Sequence, residues 1–209
     1  MNYVEISVPD GAIERAEAVL AGIPGGVERA VSAALNRGLT TAQSESQKQI
    51  TQVYDITKTT VRHKGIFEMR KATQGSLVGS ITFSGHRIPL YNFGVTPKTP
   101  TSTGARVPVN LGNRWVMASP GAVVRARIRR DSTKTPSGRA FIAQMRSGHV
   151  GVFERTGNKS RAIRERYGPS VAQMAGNSVV QDVVSQKAIE TIDKRVEHEI
   201  TRILSGWGG

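Results

Sequence analysis

Between Val27 and Leu35 the apolar and small residues Val27, Ala30, Val31, Ala34 and Leu35 recur three and four apart, the spacing of one helical face. The pattern thins through Ala42, Ile50 and Val53, which predicts one long helix over 27–54. Its polar run, TTAQSESQKQ, has little apolar surface to bury and suits either packing against another subunit or a solvated face. Ahead of it, Asp10 is placed to cap a helix ending at Leu20, with Glu14 and Glu17 near its positive end, and GIPGG at 22–26 breaks the chain. A helical turn near Thr57–Arg62 follows.

From Gly65 the period changes to two. Leu77, Gly79, Ile81 and Phe83 share one face of SLVGSITF, and GIFEMRKA and RIPLYNF supply strands on either side. The stretch 94–113 is rich in Gly, Pro and Thr, has no consistent period and reads as a long excursion. AVVRARIRR, GRAFIAQM and HVGVFERT then form successive strands of an antiparallel meander. Pro169 suits the first turn of a short helix that ends at Gly176. A last helix runs from Asn177 to about Leu204, its apolar stripe formed by Val180, Val184, Ile189, Ile192, Val196, Ile200 and Ile203. The expectation is a single α+β domain over 1–209: a helical part at 1–64, a mainly β part at 65–168, closing helices at 169–204 and a tail at 205–209.

Composition narrows the classes. The 209 residues contain no cysteine, which excludes disulfides, thiolate-held iron–sulfur clusters and a cysteine nucleophile. No run reaches the roughly 18 apolar residues of a membrane span, and the N-terminus lacks the layout of a secretion signal, so no membrane partner is expected. Charge adds more. Lys and Arg outnumber Asp and Glu by 29 to 16, and 15 basic against three acidic residues lie within 98–166. Such a field implies an anionic partner.

Alternation in AVVRARIRR puts Arg125, Arg127 and Arg129 on one strand face, about 6.6–7 Å apart along it. Planar guanidinium forks in a row suit phosphates or carboxylates, although a solvated strand face would give the same pattern. Arg130, Arg139 and Arg146 extend this candidate anionic-partner surface. Pro97, Lys98, Pro100 and Arg106 mark the excursion as a candidate inter-subunit arm.

Enzyme signals are poor. Asn158 separates Gly157 from Lys159 and so spoils a phosphate loop, which needs contiguous Gly-Lys-Ser/Thr. His63, His86, His149 and His198 are scattered without metal-ligand spacing, and no catalytic residue, metal or cofactor is expected. Aromatics are too few for base stacking, and Gly22 and Gly25 make only a bare GxxG; any DNA contact would be to the backbone.

The segment VGVFERTGNKSRAIRERYGPSVAQMAGN at 150–177 resembles the signature of the bacteriophage and prophage minor tail protein Z family, also called tail completion proteins. The shared pattern consists of Phe153, Arg155 and Gly157, then Arg161, Ile163, Arg164 and Glu165, then Tyr167, Gly168, Pro169 and Ser170. Ala172 stands where relatives often carry proline, a departure confined to the local turn. AALNRGLTTA, IPLYNF and the order of elements are also similar, so the resemblance covers most of 27–204.

The resemblance implies a structural virion protein at the head-proximal end of a phage tail, assembled in the host bacterial cytoplasm. It would join tail to head as a ring of copies, a hexamer favoured, docked to tail terminator or tube and head–tail connector proteins. The DNA backbone of the genome is a further partner that the resemblance allows. A non-specific nucleic-acid-binding protein using the basic 98–166 surface is the alternative.

Overall fold

The computed structural model describes residues 2–6, 10–98, 107–110, 115–118, 124–134, 140–156 and 163–207, with residues 2–6, 10, 107–110, 115–118 and 207 given by backbone alone. The architecture is α+β: helices with small antiparallel sheets, closed by a long C-terminal helix. The chain divides into two compact units.

The first unit comprises Met1–Thr51, Val61–His86 and Ser170–Gly209. Strand β1 (Asn2–Ile6) and helices α1 (Asp10–Leu20), α2 (Gly26–Val53) and α3 (Lys58–Lys64) precede strands β2 (Ile66–Arg70) and β3 (Gly79–Ser84). Helices α4 (Val171–Ala175) and α5 (Ser178–Trp207) complete it. The helical spacing read from Val27 is realised in α2, where Ala30, Val31, Ala34, Leu35 and Leu39 are buried. Gly25, with φ of +65°, makes the break between α1 and α2 in a conformation that costs glycine little.

In the sheet, β3 lies between β1 and β2, with Ile81 opposite both Val4 and Met69. Ile81 and Phe83 are buried, and the Phe83 ring meets Phe67 edge-on at 5.6 Å. The Asn36 side chain of α2 donates to the Ala72 carbonyl and accepts from the Ala72 amide, both at 2.9 Å. That pair ties the β2–β3 connection to the helix.

Helix α5 buries Val180, Val184, Ala188, Ile192, Val196 and Ile200. Ala188, rather than the expected Ile189, continues the stripe: it lies four residues from both Val184 and Ile192, whereas Ile189 is 43% exposed. Glu199, 1% exposed, is the buried carboxylate among the described residues; Arg195 and Arg202 reach its two oxygens at 2.7 and 2.6 Å. The short helix α4 begins later than expected. Ser170 is its N-cap, in a capping box with Gln173, so Pro169 stands just outside the first turn.

The second unit comprises Gln52–Thr60 and Arg87–Pro169. Strands β8 (Ala140–Gln144), β9 (Val150–Arg155) and β10 (Ile163–Glu165) form an antiparallel sheet in the order β10-β9-β8. The β8–β9 hairpin follows expectation, whereas β10 carries no alternation of its own and is ordered by pairing with β9. Two ribbons accompany this sheet: β4 (Gly94–Thr96) with β7 (Arg125–Arg127), and β5 (Val107–Asn110) with β6 (Trp115–Ala118). The aperiodic stretch 94–113 therefore contains β4 and β5.

Two expected strands differ. RIPLYNF forms a single turn of 3-10 helix at Leu90–Asn92. Pro89 offers no N–H to a ladder, and Ile88, Leu90 and Phe93 are all buried, which alternation cannot achieve. AVVRARIRR stays extended only over Arg125–Arg127 and then bends at Ile128. There the 53–55 segment takes over its backbone: Asp55 N donates to Ile128 O at 2.9 Å and Arg130 N to Val53 O at 3.0 Å.

Candidate anion-binding pocket

Strand β7 presents Arg125 and Arg127 on its exposed face, with Ala126 buried between them. The register sets Gly94 opposite Arg127 and Thr96 opposite Arg125. With no side chain on Gly94, the Asp55 carboxylate occupies the space a Cβ would fill there. From that position Asp55 accepts from Arg127 Nε at 2.7 Å and lies 3.7 Å from Arg130. A pocket of about 580 Å³ opens here, lined among others by Asp55, Thr96, Lys98, Arg125, Arg127 and Arg130. Tyr91 donates its hydroxyl to the Lys98 carbonyl at 2.8 Å, which holds the start of the proposed arm at the pocket.

The expected arginine surface is thus divided. Arg125, Arg127 and Arg130 come together, but the bend at Ile128 breaks the row and Arg129 pairs with Asp131 at 3.1 Å instead. Arg146 sits exposed in the β8–β9 turn, apart from the pocket lining. Pro97 and Lys98 directly follow β4, while Arg139, Pro100 and Arg106 lie outside the described residues. Asp55 was missed by sequence reasoning. Its partner Arg127 is 72 residues away, a separation at which no local pattern signals a pair.

The signature residues form a second cluster. Phe153 is buried, with its ring 6.2 Å from that of Phe141, and the Arg155 guanidinium lies 5.3 Å from the Phe141 centroid. Across the β9–β10 pair, Glu154 meets Arg164 at 3.6 Å and Arg166 at 3.0 Å. Glu165 uses both oxygens, one against His149 Nε2 at 2.7 Å and the other accepting from the Tyr167 hydroxyl at 2.9 Å. That hydrogen bond, then desolvation and the Glu165 charge, raise the Tyr167 phenol above its ordinary value. Exposed Ile163 pairs with Arg155 across the ladder. Gly168 lies against Phe93, where a Cβ would come within 2.5 Å of the ring. Pro169 leads into the Ser170 cap; Gly157 and Arg161 lie outside the described residues. Among the described members, then, Arg155, Arg164, Glu165 and Tyr167 make contacts within the fold.

Charge follows the division into units. The second unit carries 17 Lys and Arg against four Asp and Glu, the whole net charge of +13, and the first carries twelve of each. Among the described residues no group of three His, Asp or Glu could hold a metal ion, and no helix is long and apolar enough to cross a membrane.

No curated protein and no solved structure matches the chain. The family model for prophage minor tail protein Z (GPZ) matches residues 11–206, which include most of both units, the pocket and the signature. The chain therefore belongs to the prophage minor tail protein Z family, structural proteins of the phage tail.

Proposed function

We propose that this protein completes the head-proximal end of the tail and joins it to the head, acting as a ring of copies docked to tail and neck subunits. The observation that carries this reading is the confinement of the net charge to one unit, beside a charge-balanced one. Such a division suits a bridging component, in which one part assembles with its own copies and the other meets an anionic neighbour. The protein acts in the virion, after assembly in the bacterial cytoplasm, and works by binding rather than catalysis.

The test is deletion of the gene from its parent phage, with the lysate viewed by negative-stain electron microscopy. Full-length tails beside filled, unjoined heads are expected; normal virions would overturn the proposal. Complementation with the unaltered gene is expected to restore joining, and complementation with Arg125→Glu is not. Arg125 is the informative position because Arg127 is also bound to Asp55 within the fold. The same charge favours a second reading, a non-specific nucleic-acid binder acting outside the particle. That reading predicts normal virions after deletion and DNA retention that falls steeply with salt.

A further inference from the structure

We propose that the pocket beside β4 and β7 is a docking site for an acidic, extended segment of a partner protein, with Arg125 and Lys98 taking its carboxylates. The proposal rests on the reading of the second unit as the anion-facing part of a tail assembly protein, and it specifies the partner's chemistry.

The chain already shows how this arginine face receives a carboxylate. Asp55, brought from another part of the sequence, seats on Arg127 Nε at 2.7 Å and stays within 3.7 Å of Arg130. Arg125, at the next outward position of β7, and the Lys98 amine have no acidic partner among the described residues, yet both line the same recess. A second carboxylate therefore finds a planar guanidinium fork beside an occupied one, with Thr96 and Asn92 as neutral polar neighbours. The pocket also exposes the short strand Gly94–Thr96, whose one described ladder partner is β7. An extended chain can follow such a strand with its backbone while its side chains reach the cations.

DNA fits the recess less well. A duplex spreads its phosphates along a strand, about one every 3.4 Å, and engages a broad face rather than a recess of about 580 Å³. A single strand needs an accessible aromatic platform for its bases. The aromatic residue in the lining, Phe93, is only 3% exposed.

The test is a fluorescence-anisotropy titration of the full-length chain with labelled hexaglutamate, repeated with a labelled DNA duplex. The variants are Lys98→Gln/Arg125→Gln in the pocket and Lys71→Gln/Arg87→Gln, at exposed positions outside its lining, which remove equal charge. Circular dichroism checks that each folds. Hexaglutamate affinity is expected to fall about tenfold in the pocket variant, as for loss of charge-assisted pairs, and less than about twofold in the other. Duplex affinity is expected to fall equally in both. Equal loss of hexaglutamate binding in both variants, or no hexaglutamate binding at low salt, would overturn the proposal. So would a duplex affinity lost selectively in the pocket variant, which would make DNA the occupant. Binding is read on the isolated chain, so a failure of the joining role in the phage and a failure here are separate results.

Discussion

Gly38 of α2 lies directly against Ile192 of α5: a Cβ at position 38 would stand 2.5 Å from Ile192 Cγ1 and 2.8 Å from its Cδ1. The two long helices approach closely because position 38 has no side chain. Ile192 is fully buried, so it has no free space into which to retreat. Gly38→Ala is expected to destabilise the chain by about 1–3 kcal/mol through overpacking. Ile192→Ala alone costs about 2–5 kcal/mol by leaving a cavity. Combined, the two changes should cost less than their sum, since removal of Cγ1 and Cδ1 makes room for the added methyl. Urea unfolding of the parent chain and the three variants measures this coupling, and strict additivity would show that the contact is not what limits position 38.

Gly94 and Asp55 stand in a similar relation within the pocket. Gly94→Ala places a methyl group in the space of the Asp55 carboxylate and should displace it from Arg127. Asp55→Asn weakens the same pair by removing its charge, at a cost of about 1 kcal/mol or less because Arg127 is half exposed. Once Asp55 is neutral, Arg127→Gln should add little further loss. A double-mutant cycle in urea checks this expectation.

The Ser170 cap offers a local test of the signature's last residue. Ser170 Oγ accepts from the Gln173 amide at 3.2 Å, and the Gln173 side chain accepts from the Ser170 amide at 3.0 Å. Ser170→Ala should cost about 1 kcal/mol. Ser170→Asp should retain most of that stability, because a carboxylate also caps and favours the positive end of a helix. Thermal unfolding of the two variants distinguishes loss of the cap from a general intolerance at this site.

Tyr167 predicts a pH dependence with a defined sign. Its folded pKa is raised above the ordinary 10.0, first by the hydrogen bond to Glu165. The folded chain therefore holds the phenolic proton more firmly than the unfolded chain. The stability gained is complete below pH 10.0 and is lost as pH rises through the folded value. Tyrosinate absorbance should show one phenol titrating late, absent in Tyr167→Phe and shifted back down in Glu165→Gln. An unchanged titration in Glu165→Gln would rule out Glu165 as the cause.

The amino-acid sequence alone determined the long helices, the β hairpin, the concentration of positive charge and the family signature. Each is written in residues that lie near one another along the chain. Val27 to Leu35 report a helical face because a helix brings positions three and four apart together. Phe153 to Ser170 form one continuous stretch. Tertiary structure alone decided which arginines lie together. Arg125, Arg127 and Arg129 alternate identically in sequence, yet the 53–55 segment bends the chain at Ile128, seats Asp55 on Arg127 and leaves Arg129 to Asp131. It likewise placed Ala188 rather than Ile189 in the core, and a 3-10 turn rather than a strand after Pro89. The physical reason is common to all three. Periodicity records the geometry of a segment with itself, whereas burial and ion pairing depend on partners that topology brings from distant parts of the chain.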